Sequence, residues 1–293
     1  MNKYSIDDFS RITGLNKILI RTWENRYNFV KPHRTSTNIR YYDDKMVVKG
    51  LRYGMLVDAG FKISAVTSLE KEQVNKLIKS TLNSNKQTNK HSIYISQIIE
   101  SSLSFDQVLF HKTYERCIKD IGIIECYQYV LLSALNRIGV LWINDEISPA
   151  QEHFLSELIK TKIYKEIERL GFQKLPKENW VLFLPKNELH DIGILFAYLA
   201  LKMNGHNVTY LGQNLPHSLL LSLKDKEKVD NILFSIVSNT SKLELIEATN
   251  FIKTHFTRSK IYTIMDKNLL TEDRFQKLNT ISSIDDFMSL ITK

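Results

Sequence analysis

Four short apolar runs alternate with helical stretches from about residue 178 to the end of the chain. Their sequences are WVLFLP, HNVTYLG, NILFSIV and KIYTIM. Each run has the length of one strand, and each connection is long enough to hold a helix, which is the pattern of a parallel sheet with helices on both faces. The sequence therefore predicts a doubly wound, flavodoxin-like α/β domain over residues 176–293. Ligands of such sheets bind beyond the carboxyl ends of the strands, near the point where the strand order reverses.

The loop after the first of these strands carries a histidine in the sequence NELHDIG, Asn187 to Gly193. No Ser, Cys or paired carboxylate is placed as its nucleophilic partner, no zinc-ligand spacing surrounds it, and the loop lacks the glycines that cradle phosphates. A single metal-coordinating imidazole remains, with Glu188 as the carboxylate that would fix the tautomer of His190. Gly193 would let a large planar group approach the start of the next helix. The alternative is a loop histidine without a ligand.

The central segment, residues 93–175, has helical periodicity and almost no strand signals. It predicts four helices that form a small bundle. Trp142 closes the third helix, while Glu152 and His153 fall in the first turn of the fourth, so the three side chains could converge on one end of the bundle. In the ordinary alternative, Glu152 is favoured by the helix dipole, Trp142 lies in the core and His153 lies on the surface.

The first 75 residues carry most of the excess positive charge of the chain, whose formal net charge is +8. Nine basic and three acidic residues lie between Lys17 and Arg52, which is typical of a nucleic-acid binder, although a solvated basic face has the same composition. Two short helices around Gly14 predict a helix-turn-helix, and the stretch that follows predicts a wing. We expect two groups of side chains to contact double-stranded DNA: Lys17, Arg21, Asn25 and Arg26 in the major groove, and Arg34, Arg40 and Tyr41 at the backbone.

A polar stretch rich in Asn, Ser and Lys follows this segment and predicts a linker over residues 76–92. No apolar run approaches the roughly 20 residues that span a bilayer, and the N-terminus does not have the form of a secretory signal. The two cysteines, at no metal-ligand spacing, indicate buried thiols in a reducing compartment. We therefore expect a cytoplasmic protein without membrane association, and no catalytic constellation predicts an enzyme.

The N-terminal segment resembles the winged helix-turn-helix of the MerR regulator family. The resemblance rests on WENRYNFVKPHR, NIRYY and LRYGMLVDAGFKISAV. Simpler members continue into a long dimerising helix, whereas this chain has the polar stretch, so self-association is expected to depend on the later domains.

The rest of the chain resembles the cobalamin-binding MerR regulators of the CarA/CarH/LitR type. Their signature of an acidic residue, x, His, x, x, Gly stands here as Glu188-Leu189-His190-Asp191-Ile192-Gly193, and Trp142 is followed after nine residues by Glu152-His153. The resemblance implies a repressor whose DNA binding and self-association, as a dimer or tetramer, respond to adenosylcobalamin or methylcobalamin. It places His190 below the corrinoid as the cobalt ligand, and Trp142, Glu152 and His153 above it, in the helical bundle, which would cover the corrinoid as a cap.

Two departures from this pattern leave alternatives open. Light-sensing members have a His after the cap Trp, and this chain has Ile143. The usual Ser-x-Leu of the slot for the nucleotide tail is approximated by Ser235-Ile236-Val237, while the fourth strand ends in Tyr262-Thr263-Ile264-Met265-Asp266 without the usual Gly-Gly. The alternatives are a regulator whose ligand domain is vestigial, and a corrinoid carrier for methyl transfer, which would have no use for a basic winged helix.

Overall fold

A computed structural model describes most of the chain, which divides into two compact units, Met1–Leu158 and Ile159–Lys293. The described residues are 3–83, 87–143, 148–172, 174–224, 228–236, 242–265 and 279–292. Within the described residues, no helix has both the length and the apolar character needed to cross a membrane.

The first unit opens with the predicted winged helix-turn-helix. Its elements are α1 (Ile6–Thr13), α2 (Lys17–Tyr27), β1 (His33–Arg34), β2 (Arg40–Tyr41), α3 (Asp44–Asp58) and α4 (Ile63–Thr67). The Ser5 and Asp8 side chains form a capping box at the start of α1, and Gly14 ends the helix with a φ of 74°, which glycine adopts without strain. Helices α1 and α3 meet at Gly50, where a Cβ atom would lie 2.6 Å from Cζ of Phe9.

The described residues of the predicted linker over residues 76–92 are helical. Residues 76–83 belong to α5 (Lys71–Asn83), and residues 87–92 belong to α6 (Gln87–Leu103). In α5, Val74, Ile78 and Thr81 are buried at helical spacing. The polar residues of α5 thus lie on its outer face, and the composition of this stretch does not reveal the buried face on the other side of the helix.

The predicted four-helix bundle is confirmed. It consists of α6, α7 (Gln107–Ile121), a third helix in three parts and α10 (Pro149–Arg169). The third helix begins as α8 (Ile123–Glu125), widens to a π-helical segment over Cys126–Leu131 and continues as α9 (Leu132–Ile143). Cys117 and Cys126 are buried free thiols.

Two polar contacts join the helix-turn-helix to this bundle within the first unit. The Arg52 guanidinium on α3 donates to both carboxylate oxygens of Glu100 on α6, at 3.0 and 2.5 Å. Arg137 on α9 donates through Nη1 to the carbonyl oxygen of Ile12 at 3.4 Å. Burial lowers the pKa of the Arg137 guanidinium, and the nearby Asp58 carboxylate opposes that change. The helix-turn-helix is therefore docked on the bundle rather than separated from it.

The second unit contains a five-stranded parallel sheet, which confirms the predicted α/β domain. The strands are β3 (Asn179–Phe183), β4 (Asn207–Tyr210), β5 (Asn231–Ile236), β6 (Lys260–Met265) and β7 (Asn279–Ile281), in the spatial order β4-β3-β5-β6-β7. This is the doubly wound order found in flavodoxin, whose strand order reverses between the first and third strands. Here that point lies between β3 and β5, beside the His190 loop. The sequence analysis did not predict β7, which has only three residues.

Helices cover both faces of the sheet. On one face, α11 (Ile192–Met203) and α14 (Ile284–Ile291) pack against Leu182, Leu233 and Tyr262. On the other face, α13 (Lys242–His255) packs against Phe183 and Phe234, beside a 3-10 turn, His217–Leu220, and the short α12 (Leu221–Lys224). Because α11 is almost wholly buried, its N-terminus is held firmly at the carboxyl edge of β3.

Candidate DNA-binding surface and ligand site

Helix α2 presents one basic face to solvent. Asn16 caps the helix by accepting from the backbone N–H of Ile18, and Ile20 and Trp23 anchor the opposite side in the core. The predicted major-groove residues all lie on the exposed side: Lys17, Arg21, Asn25 and Arg26. Their contact with DNA stays a prediction, but their positions meet its requirement. Ile18, which was not predicted from the sequence, is 72% exposed on the same face and is able to touch thymine methyl groups.

The wing is a two-stranded antiparallel ribbon in which His33 pairs with Tyr41 and Arg34 pairs with Arg40. The exposed Arg34 guanidinium donates to Oδ1 and to the carbonyl oxygen of Asn38, at 2.8 and 3.2 Å. The Tyr41 ring stacks on the His33 ring with centroids 5.1 Å apart. Arg34 is therefore held in a defined position near the tip of the ribbon, and Tyr41 is held near its base.

Arg40 differs from Arg34 because it takes part in an intramolecular network. Its Nε donates to Glu24 at 3.3 Å, and the Tyr42 hydroxyl donates to the other oxygen of the same carboxylate at 2.5 Å. The Glu24 side chain is only 5% exposed, so Arg40 offsets a nearly buried charge. Burial and then the bond to Glu24 raise the pKa of the Tyr42 hydroxyl well above its usual range. If Arg40 contacts a DNA phosphate as predicted, its guanidinium must bind the phosphate and Glu24 at the same time.

The His190 loop is organised around the carboxylate of Glu188, which is fully buried. One oxygen of Glu188 accepts from the backbone N–H of Leu189 at 3.0 Å and from that of His190 at 2.9 Å. The same oxygen lies 2.7 Å from Nδ1 of the His190 ring. The His190 side chain is 59% exposed. The carboxylate therefore holds both the loop backbone and the ring, and coordination of a metal would fall to Nε2.

Residues far away in the sequence lock this loop in place. Asn187 has a φ of 67°, and its backbone N–H donates to Oδ1 of Asn214 at 2.9 Å. Gln213 donates through Nε2 to the carbonyl oxygen of Leu189 at 2.9 Å. The ammonium group of Lys160 lies 3.7 Å from the carboxylate of Asp191, the residue that precedes α11. These contacts were not predicted, because no local pattern links residues so distant.

Gly193 and Ser235 flank the carboxyl edge of the sheet. A Cβ atom at Gly193 would meet nothing within 4 Å, so space lies open above the first turn of α11. Ser235 is buried on β5, and its hydroxyl has no hydrogen-bond partner in the described part of the chain. Its neighbour across the β5–β6 ladder is Ile264. Residues 237–241 and 266–278 and the Met265 side chain, where the slot for the nucleotide tail was predicted, lie outside the described residues.

The cap residues are described in part. The Glu152 carboxylate lies 2.8 Å from Nδ1 of His153, and its other oxygen accepts from the Ser156 hydroxyl at 2.5 Å. The His153 side chain is 71% exposed. The side chains of Trp142 and Ile143 lie outside the described residues, although their backbone ends α9 as predicted. The convergence of Trp142 with Glu152 and His153 therefore stays a prediction.

Comparisons with known proteins match this architecture. Residues 4–73 match the family model described as MerR HTH family regulatory protein, and residues 94–165 match the B12 binding domain. The HTH-type transcriptional repressor CarH of Myxococcus xanthus is 24% identical over 216 residues, which cover 73% of this chain and 72% of that protein. The HTH-type transcriptional repressor CarA of the same organism is 25% identical over 236 residues, which cover 79% of this chain and 76% of CarA.

The solved monomethylamine corrinoid protein of Methanosarcina barkeri shares the fold, with a TM-score of 0.56 and 14% identity over 71% of this chain and 99% of that one. A MerR-type helix-turn-helix followed by a B12-type domain defines a DNA-binding transcriptional regulator. The chain is similar to the CarA/CarH type of MerR-family regulators.

Proposed function

We propose that the chain is a transcriptional repressor that binds an operator in double-stranded DNA and responds to a cobalamin coordinated by His190. The observation that carries the proposal is the His190–Glu188 pair at the carboxyl edge of β3, with Nδ1 and the carboxylate oxygen 2.7 Å apart. A buried carboxylate that orients an exposed imidazole is the usual support of a metal-coordinating histidine. Among the described residues, no cluster of three or more His, Cys, Asp and Glu side chains could hold a metal ion by itself. A group that already carries its metal fits this single imidazole.

The surroundings of His190 fit a corrinoid. The lack of a Cβ atom at Gly193, with no atom within 4 Å of where it would stand, would let a flat macrocycle approach the start of α11. The buried Ser235 hydroxyl offers a hydrogen bond at the edge of the sheet where the nucleotide tail would enter. A bound cobalamin would supply a cobalt centre, which the His190 imidazole would hold as a ligand. The protein's part is to hold the imidazole in one tautomer and to keep its ring in one orientation.

The identity of the upper ligand follows from the resemblance alone. It places Glu152 and His153 beside an adenosyl or methyl group, and the Glu152–His153 and Glu152–Ser156 contacts would fix their side chains for that role. Both relatives are named as repressors, which supports repression as the sign of regulation. The same proposal includes self-association as a dimer or tetramer. It also includes location in the cytoplasm, where the operator DNA lies.

A second candidate function is a regulator whose α/β domain no longer binds a ligand. Ile264 favours this candidate. It packs against the sheet core near the end of β6, where cobalamin domains of the family usually have Gly-Gly lining the slot for the nucleotide tail. A corrinoid carrier is disfavoured, because the exposed basic face of α2 has no role in methyl transfer.

Visible absorption of the purified protein, with and without added cobalamin, tests the proposal. We expect one corrinoid per chain, with an axial imidazole that is lost in His190→Ala. His255→Ala is the matched control, because His255 ends α13, at the opposite edge of the sheet, and bonds only locally to the carbonyl oxygen of Phe251 among the described residues. Identical spectra for wild type and His190→Ala would refute the ligand assignment. Absence of any bound corrinoid, together with intact operator binding, would establish the vestigial regulator.

A further inference from the structure

A cavity of about 700 Å³ lies in the first unit, among α3, α5 and α6. We name it the α3–α6 cavity. Its floor is apolar and contains Val48, Tyr53, Val74 and Leu103, of which the last three are buried. A volume of this size is in the range of pockets that bind small organic molecules. None of the residues assigned to DNA contact or to the corrinoid site lines it.

The rim of the cavity is basic. Four basic and two acidic side chains line it, which leaves an excess of two positive charges. Both acidic groups already have partners: Glu100 accepts from Arg52, and Asp44 accepts from the Tyr4 hydroxyl at 2.6 Å. In the part of the chain that the structure describes, the ammonium groups of Lys45, Lys49 and Lys71 form no ion pair.

Lys49 contacts the apolar floor of the cavity. Its Nζ lies 5.2 Å from the centroid of the Tyr53 ring, which is buried at the base of the cavity. Partial burial lowers the pKa of the Lys49 ammonium group, so its charge is incompletely hydrated. An anion beside it would replace the lost hydration and meet the neighbouring lysines at the same time. Lys45 and Lys49 belong to the basic run near the N-terminus, but neither lies on α2 or on the wing.

We propose that the α3–α6 cavity is a second effector site, which binds an organic anion with an apolar body and one carboxylate, sulfonate or phosphate group. The apolar body would lie on Val48, Tyr53 and Leu103, and the anionic group would lie at Lys49. Because α3 belongs to the DNA-binding domain and α6 to the bundle, such a ligand touches both. It would sit beside the Arg52–Glu100 ion pair that joins them.

The test uses two probes of similar shape on the full-length protein. One is 1-anilinonaphthalene-8-sulfonate, and the other is the uncharged N-phenyl-1-naphthylamine. Fluorescence of the probe measures binding, and we expect the sulfonate to bind saturably at one site per chain. Lys49→Gln should weaken sulfonate binding by about tenfold, the effect of one charge-assisted contact, and leave binding of the uncharged probe unchanged. Lys112→Gln, an exposed lysine on α7, is the matched control and should change neither.

Val48→Trp fills the cavity and should abolish binding of both probes, while circular dichroism confirms that the variant is folded. Sulfonate binding that survives both Lys49→Gln and Val48→Trp would overturn the proposal, as would the lack of a saturable site. A lower salt slope of operator binding in Lys49→Gln would assign the lysine to DNA phosphates instead. Sulfonate affinity that falls as the protein concentration rises would show that a second copy of the chain fills the cavity. Corrinoid absorption measured on the same variants separates these outcomes from a failure of the His190 site.

Discussion

Replacement of Glu188 by glutamine tests whether the buried carboxylate or only its shape organises the His190 loop. The substitution keeps an oxygen that accepts from the N–H groups of Leu189 and His190 and from the His190 ring, but it removes the negative charge. It also places an amide NH₂ group where the side chain is fully buried. We therefore expect the loop to keep its geometry, with weaker hydrogen bonds to residue 188.

The expected loss of stability in Glu188→Gln follows from the three hydrogen bonds that the Glu188 carboxylate accepts. A hydrogen bond to a charged group contributes about 1.5–3 kcal/mol and a neutral one about 0.5–1.5 kcal/mol. The loss is therefore about 1 kcal/mol for each bond, and about 2–3 kcal/mol in the free energy of unfolding of the second unit. Second-shell carboxylates of this kind change metal affinity by about 10- to 100-fold when they are mutated. We expect cobalamin affinity to fall by a factor in that range.

Urea denaturation of the cofactor-free protein and a spectroscopic cobalamin titration measure the two effects separately. His190→Ala is the complementary variant, because it removes the ring but keeps both backbone bonds to Glu188. It should change the free energy of unfolding by no more than about 1 kcal/mol, the value of one hydrogen bond, while it abolishes imidazole coordination. If Glu188→Gln binds cobalamin as tightly as the wild type, with the same spectrum, the carboxylate does not tune the ligand and our reasoning is wrong.

Three further predictions concern the DNA-binding domain and the cap. Arg40→Ala should weaken binding to all DNA sequences, flatten the salt slope by about one phosphate contact and also destabilise the fold, since the nearly buried Glu24 loses its cation. Arg34→Ala should change the salt slope alone; gel-shift salt titrations of both variants check this, and an unchanged slope in both would contradict the wing assignment. Gly50→Ala should lower the free energy of unfolding by about 1 kcal/mol or more, because a Cβ atom 2.6 Å from Phe9 causes overpacking that exceeds the gain in helix propensity, whereas Gly54→Ala, with its nearest neighbour at 3.3 Å, should be nearly neutral. The cobalamin-loaded protein should bind DNA equally in darkness and after green light, because Ile143 has no lone pair for cobalt; size-exclusion and gel-shift measurements decide this, and light-driven dissociation of the oligomer would show the opposite.

Periodicity predicted most of the fold. The strand-length apolar runs and the long helical patterns of the bundle identify their own elements, because each must bury one face along its whole length. Two features did not follow from local pattern. Residues 76–83 are helical because Val74, Ile78 and Thr81 find a packing partner, which composition does not reveal. Strand β7 is three residues long and is defined by its pairing with β6, a contact made through tertiary structure.

The candidate site was predictable where its residues are close in sequence. Glu188 and His190 are two positions apart, so their hydrogen bond could be anticipated from spacing alone. The support from Asn214 and Gln213 comes from the loop after β4 and depends on the parallel pairing of β3 with β4. The Glu24–Arg40 pair joins α2 to the wing, and its prediction requires knowledge of how the ribbon folds back on the helix. Long-range polar partners were the part that sequence did not provide.

The docking of the DNA-binding helices on the bundle has a consequence for how the protein measures distance along DNA. A domain on a flexible tether tolerates operator half-sites at many separations, because the tether absorbs the difference. Here Arg52 bonds to Glu100 and Arg137 bonds to the end of α1, so α2 is held in a fixed direction relative to the bundle. If two copies pair through their bundles, they would then accept only half-sites in helical phase, about 10–10.5 base pairs or a multiple apart. Insertion of half a turn of DNA would rotate one half-site to the far side of the duplex, beyond the reach of a rigid pair.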